Sequence, residues 1–251
     1  MTKIPGSGKL DMDTCLSFKL TNNSKVRFFD AHNNTFSISQ GRVEDGGTCV
    51  HATEACLKVC YDATLRRIYK HYRANEDYNK DLVWEKPIEE QMEVISNSIK
   101  KWYYDTGRMQ PFFRIHTGGE FFNENYANAW RTVIDTHQHI HFWVYTRSLF
   151  AVPILAGLKN LTLLLSCDVD NKDEVLETYK VFKNHSNISV AWMGNEVPPE
   201  FPKDRPLLVC PEVTGKTKTL NKQGACSRCR ACIDRTLKSG DIRHIQFPIH
   251  R

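Results

Sequence analysis

The chain has 251 residues, 41% of them hydrophobic and 25% charged, with a formal net charge of +5. That balance excludes a charge-rich disordered chain, and the longest apolar run, LKNLTLLLSC, falls well short of the roughly 20 residues of a membrane span. The start, MTKIPGSGKLDMD, lacks the apolar core of a signal peptide, so a cytoplasmic protein with no membrane partner is expected.

Residues 1–34 read as an N-terminal arm. Residues 25–29 and 35–39 are aromatic or β-branched runs separated by the turn-like AHNN, and both read as short strands. A loop hinged on Gly46-Gly47 follows and carries Cys49, Cys56 and Cys60. From Ala55 the pattern turns helical, which would put Cys56 and Cys60, at i and i+4, on one face. Residues 88–105 have apolar positions at helical spacing behind Pro87. A regular alternation then begins. Strands are expected at 111–117, 140–146, 161–166, 188–193 and 207–210, with helices at 125–137, 150–158 and 172–184 between them.

Strands alternating with helices imply parallel pairing and right-handed crossovers. Counting residues 35–39 as the first, about six strands result, too few for a closed eight-fold barrel. The expected architecture is α/β: a partial β/α barrel over residues 35–209, followed by a cysteine-rich metal-binding segment over residues 210–251. Ligands in such folds collect at the carboxyl ends of the strands. The unusual residues fall there: the cysteine loop, Gly118-Gly119-Glu120, Tyr145 and Arg147, Cys167 and Asp168, Gly194 to Glu196, and Cys210.

Nine cysteines are many for an intracellular chain, and clustered thiols in that setting point to metal or catalysis rather than disulfides. Cys15 and Cys167 stand alone and read as small buried hydrophobes. Cys210-Pro211 with Cys226, Cys229 and Cys232 is a C-x2-C-x2-C loop plus a remote Cys-Pro, the ligand pattern of a ferredoxin-type [4Fe–4S] cluster. Four thiolates would equally close a zinc site. A third arrangement takes three cysteines plus His244, and would resemble the zinc site of tRNA-guanine transglycosylases. Cys49, Cys56 and Cys60, spaced C-x6-C-x3-C, offer three thiolates and leave one metal position open.

That three-cysteine loop, followed one strand later by Gly118-Gly119-Glu120, resembles the radical S-adenosylmethionine (SAM) superfamily, whose members are built on a partial β/α barrel. The resemblance implies a [4Fe–4S] cluster on the three cysteines, SAM on its open iron, Glu120 at the SAM amino group, and an electron donor such as a flavodoxin or ferredoxin. The spacing departs from the usual C-x3-C-x2-C, and Phe121 stands where the motif has proline. Over most of its length the chain resembles the bacteriophage gene product 88 family more closely, through TCVHATEACLKVCY, FRIHTGGEFFNENYANAW, FWVYTRS and CSRCRAC. That likeness implies a shared fold and a host-cytoplasmic setting, not a reaction.

Arg114 and His116 alternate with Phe113 and Ile115, so both are expected on one face, the barrel interior, as cofactor-binding residues beside Gly118, Gly119 and Glu120. Tyr145, Arg147 and Asp168 are the catalytic candidates, Asp168 being equally a helix N-cap. His137, His139 and His141 read as a solvated loop on the opposite rim. Arg66, Arg67, Lys70, His71 and Arg73, with the basic tail, could face nucleic acid. The leading expectation is a radical-SAM-like iron–sulfur enzyme with a second, four-cysteine centre, acting on nucleic acid or a nucleobase. The alternatives are a zinc-dependent nucleobase-modifying enzyme and a metal-stabilised module that binds nucleic acid or a host protein.

Overall fold

The computed structural model describes residues 15–28, 32–109, 111–221, 223–233 and 242–249. Half of the expected arm, including part of the turn before residue 35, and part of the basic tail lie outside them. The architecture is a six-stranded, all-parallel sheet with helices packed on one face. In chain order the strands are β1 (Phe112–Ile115), β2 (His141–Thr146), β3 (Leu161–Cys167), β4 (Ile188–Met193), β5 (Leu207–Val209) and β6 (His244–Phe247). Their spatial order is β1-β2-β3-β4-β6-β5, so the two edges do not meet and the sheet stays open.

The expected first strand does not form a full ladder. Thr35 makes a single parallel bridge to Arg114. The segment still runs alongside β1: Arg114 N donates to Asn34 O, Thr117 N to Phe36 O, and Ile38 N to Gly118 O. Residues 25–28 form a turn and one bridge instead of a strand. The strand not foreseen is β6. It is four residues long, carries the polar His244 and Gln246, and inserts between β4 and β5.

Burial explains the strand compositions. In β3 every residue is buried, as a central parallel strand covered on both faces requires. One face sends Phe113, Ile115, Phe142, Val144, Leu163, Leu165 and Val190 into the main core. Four helices cover it: α4 (Ile88–Trp102), α5 (Glu124–Thr136), α6 (Ala151–Leu155) and α7 (Lys172–Phe182). The apolar stripe of α5 is Tyr126, Ala127, Trp130, Val133 and Ile134, at the spacing that meets one side of a helix. Asn123 starts it, its side chain accepting from Tyr126 N at 2.9 Å. The expected helix at 88–105 keeps α-geometry to Trp102, then widens into a π-turn over Tyr103–Gly107.

Among the described residues no helix comparable to these covers the other face. Phe112 and Trp143 pack there against Val26, Phe28 and Ile233, and Leu164, Ala191 and Ile245 pack against Cys210. The described parts of the arm and of the cysteine-rich segment therefore close the face expected to be a barrel interior.

Three shorter helices precede α4: α1 (Glu54–Lys58), α2 (Tyr61–Ile68) and α3 (Lys70–Asp81). α2 and α3 enclose a polar knot. Arg66 donates to Glu76 at 3.0 Å and to Asp77 at 2.6 Å. The Tyr72 hydroxyl donates to Asp62 and lies 2.8 Å from the Ser37 hydroxyl. One oxygen of Asp62 and one of Glu76 have no other partner, and both residues are 1% exposed. A shared proton between the two carboxyls satisfies both atoms. Burial first, and then Asp62, pushes the Glu76 carboxyl up to about 9.

A carboxyl raised in the folded state binds its proton more tightly folded than unfolded. Its contribution is fully present below the ordinary carboxyl range and is lost as the pH climbs through about 9. The urea midpoint of the wild-type chain should therefore fall between about pH 5 and about pH 9, and Glu76→Gln should flatten that fall. A wild-type profile as flat as that of Glu76→Gln would show that the proton is not shared.

Candidate functional site

The three-cysteine loop sits at the carboxyl edge of the sheet, and Asp168 holds it there. Asp168 follows β3 and is wholly buried. Its Oδ2 accepts from the Arg147 guanidinium at 3.0 Å and from the Thr53 hydroxyl at 2.7 Å, and its Oδ1 accepts from Asp170 N at 3.0 Å. Thr53 is the N-cap of α1 and accepts in turn from Cys56 N at 3.0 Å. Asp170 adds a bond from Ala55 N at 2.8 Å. Asp168 is thus not a helix cap; Asn171 occupies the cap position of α7, with no side-chain cap bond. Its role is to seat the loop.

Cys56 and Cys60 do not share a continuous helix. α1 ends at Lys58, and Cys60, with extended backbone, is the N-cap of α2. The break turns the C-x3-C spacing into a corner. All three thiols are half-buried and close enough that Cys56 and Cys60 each raise the Cys49 thiol. Burial pushes Cys49 up to about 12, with the Glu120 charge adding to it. Burial also raises Cys56 and Cys60, while the Arg147 charge draws both back toward thiolate. Among the described residues no three His, Cys, Asp or Glu side chains are arranged as a metal-ligand set. The thiols are neighbours, not a preformed cage.

The Gly-Gly-Glu stretch does something different from what its resemblance implies. A Cβ at Gly118 would overlap the Asp62 carboxylate, and Gly119, at φ +82°, faces Ile38 and Thr48. Both glycines are needed for close packing of this edge. Glu120 is 7% exposed, and its carboxylate accepts from the Thr146 hydroxyl at 2.7 Å, Arg147 N at 2.7 Å and Phe121 N at 2.9 Å. Three donors from its own chain occupy it. It does not fit the ammonium contact assigned by the SAM resemblance.

Arg114 and His116 fall on different faces. His116 has φ +55°, which breaks the strand alternation. Its ring lies among Phe36, Phe121, Tyr126 and Trp130 on the helical side and bonds the Tyr126 hydroxyl at 3.0 Å. Burial drives its pKa down to about 3, so the imidazole is neutral. Arg114 stays on the open face, 5.3 Å from the Tyr145 ring centroid and beside Tyr61 and Cys226. Tyr145 and Arg147 separate likewise: Tyr145 meets Arg114 and Cys232, whereas Arg147 lies at the edge with Asp168 and Cys56.

In the second cysteine group, burial and then Cys232 raise the thiols of Cys210 and Cys226, and Cys210 adds to the rise at Cys226. Cys226 and Cys229 lie on α8 (Ala225–Cys229), and Arg230 ends that helix at φ +58°. His244 does not join them. It points to the helical side of β6, at 3.1 Å from the Ser189 hydroxyl and packed on Tyr179 and Phe201. The zinc arrangement of three cysteines and one histidine therefore loses its histidine. Gly194 and Asn195 also serve the fold, their carbonyls each accepting from the Gln246 amide at 3.0 Å. Of the tract from His137 to His141, His139 stays in an exposed turn as expected, but His137 and His141 do not. His137 is 7% exposed and its Nδ1 lies 2.9 Å from Val133 O, while His141 turns to Thr162 on the open face. Cys167 is buried in the main core as a small hydrophobe.

The signal for Thr53 was in the sequence: T-E-A-C at the start of a helical pattern is an N-cap spacing. Tyr61 gave none, because only the fold brings it to Arg114. Replacing Asp168 with alanine leaves Arg147 without its carboxylate. It should cost about 3–5 kcal/mol of stability in urea denaturation. It should also make Cys56 react faster with a maleimide, relative to the buried Cys167, than in the wild-type chain.

The family model described as gene product 88 matches residues 10–235. The gene 88 protein of Mycobacterium phage L5 is 30% identical over 209 residues, covering 80% of this chain and 83% of that protein. The gene 88 protein of Mycobacterium phage D29 is 30% identical over 210 residues, with the same shares covered. No solved structure matches the chain. Among the described residues no helix is long and apolar enough to cross a membrane. The matched span takes in the three-cysteine loop, the Gly-Gly-Glu edge and all four cysteines of the second group, and on that evidence the chain belongs to the gene product 88 family.

Proposed function

We propose that this protein is an iron–sulfur enzyme, with a cluster at Cys49, Cys56 and Cys60 and a second, four-cysteine centre at Cys210, Cys226, Cys229 and Cys232. The observation that carries this reading is the anchoring of the three-thiol loop. Asp168, Thr53 and Asp170 fix it to the carboxyl edge of an open parallel sheet, where ligands of such folds bind. A loop kept only for packing has no need of a buried ion pair that also supports its thiols. The donor set fits soft metal chemistry. Thiolates are iron and zinc ligands, and the Arg147 charge favours the ionised form of Cys56 and Cys60. Raised thiols mean that metal uptake releases protons and strengthens as the pH rises.

A cluster with three protein ligands leaves one metal position for an exogenous group and supplies one-electron chemistry there. Around it this chain's residues have defined tasks. Asp168 and Arg147 hold the loop and its charge, Glu120 locks the two strand ends together, and Tyr145 donates toward Cys232 at the second group. A nucleic-acid or nucleobase substrate and a flavodoxin- or ferredoxin-type donor belong to this proposal. Part of the exposed basic stretch is already spent on its own chain, since Arg66 and Arg73 pair with Asp77.

Strictly anaerobic purification with iron supplied should give a brown protein with about four or about eight irons and matching sulfide per chain. Cys56→Ala should lose the iron of one centre and Cys229→Ala that of the other. A colourless protein containing only zinc would replace this reading with the zinc-dependent one, and a metal-free folded protein would refute both. With clusters present, dithionite and added SAM should release no 5′-deoxyadenosine, because Glu120 is already held by three donors of its own chain; release would show that SAM binds despite this.

A further inference from the structure

The basic stretch that joins α2 to α3 divides into two sets of side chains. Arg66 turns inward to Glu76 and Asp77, and Arg73 lies 3.7 Å from Asp77. Asp62, the remaining acid between residues 61 and 77, is buried and accepts from the Tyr72 hydroxyl. Arg67 and Lys70 face outward, and they pair with no carboxylate among the described residues. His71 is exposed beside them. The corner between the two helices therefore presents positive charge, while the acids of its own segment are already engaged.

The same corner exposes two large apolar side chains. Ile68 is 58% exposed and Tyr69 57%. Ile68 ends α2, and Tyr69 leaves helical geometry, at φ −110° and ψ 102°, before α3 begins at Lys70. Its backbone is held from both sides: Tyr69 N donates to Leu65 O at 2.8 Å, and Arg73 N donates to Tyr69 O at 3.1 Å. The break thus sets an aromatic side chain outward on a fixed backbone, between Arg67 and Lys70 in the chain. A merely solvated helix face gains nothing from adjacent exposed isoleucine and tyrosine, which keep apolar surface in water. A chain of phosphates that also carries unpaired flat rings satisfies both features, the cations meeting phosphates and Tyr69 meeting a base. A duplex supplies the phosphates but keeps its base faces covered.

We infer that Arg67, Tyr69 and Lys70, at the corner between α2 and α3, bind single-stranded nucleic acid. The site deepens the nucleic-acid substrate proposed above and rests on that reading. α2 is eight residues long, about 12 Å, and Cys60 caps its other end, so a strand held on the corner lies one short helix from the three-thiol loop. None of the three residues is a proposed metal ligand, and strand binding and cluster content can therefore fail separately.

The test is fluorescence anisotropy of the full chain with labelled oligonucleotides of equal length: single-stranded DNA, single-stranded RNA and a DNA duplex, each at several salt concentrations. At least one single strand should bind more tightly than the duplex, and its affinity should fall as salt rises. Arg67→Gln combined with Lys70→Gln removes two phosphate contacts. It should weaken that strand about tenfold or more and reduce the log–log salt slope by about 1.4. Tyr69→Ala should weaken the strand about fivefold or more and leave the salt slope unchanged. Lys159→Gln combined with Lys183→Gln removes two exposed charges from the opposite, amino edge of the sheet and should bind as the wild-type chain does. All of these side chains are exposed, so each variant should keep the wild-type urea midpoint. No binding by the wild-type chain, tighter binding of the duplex than of either strand, or wild-type affinity in the folded Arg67 and Lys70 variant or in Tyr69→Ala would overturn the site. Equal weakening by the Lys159 and Lys183 variant would overturn it too, because net charge and not this corner would then hold the strand. A wild-type chain that binds the strand as expected but carries no iron would keep the site and refute the cluster.

Discussion

The bond on which the site depends is the one between Asp168 and Arg147. Asp168 is wholly buried at the end of β3, where an unpaired carboxylate would be untenable. Arg147 neutralises it, Thr53 completes it, and Thr53 passes the constraint to the backbone of Cys56. The backbone N–H of Arg147 meanwhile holds Glu120. One ion pair thereby links the ends of β1, β2 and β3 to the cysteine loop. Such a pair adds little net stability against a hydrophobic substitute, but it fixes one arrangement, because losing either partner leaves a charge stranded.

The two faces of the sheet follow different rules. The helical face is built from apolar stripes and closes by hydrophobic burial. The open face is covered by irregular segments from both ends of the chain and is chemically mixed, with Arg114, Tyr145 and three cysteines among its apolar residues. Irregular backbone lets closely spaced side chains diverge, as Arg230 does where it ends α8 in the left-handed region. The two cysteine groups are separated by more than half the sequence, and the residues between them on this face, Tyr61, Arg114 and Tyr145, are drawn from three different elements.

Several residues that read as chemistry serve packing instead, each for a definite reason. Gly118 and Gly119 make room for Asp62 and Ile38. Glu120 is consumed by three donors of its own chain. His116 leaves the open face because a single left-handed residue reverses its direction. Spacing rules assume regular backbone, and strand ends are where that assumption fails. The same irregularity concentrates polar side chains at the edge and gives the site its character.

The sequence by itself determined the alternation of strands and helices, the parallel and open character of the sheet, and the collection of cysteines and polar residues at its carboxyl edge. Those follow from local periodicity and from chain direction, which every residue pattern carries. Only the tertiary structure decided that β6 enters between β4 and β5, that Cys56 and Cys60 sit on either side of a helix break, that His244 turns away from the thiols, and that Arg114 and His116 part to opposite faces. These depend on which distant groups compete for the same buried space and charge. Asp168 shows the difference most clearly: its position was legible as a strand end, but its partners, 21 and 115 residues away, were not.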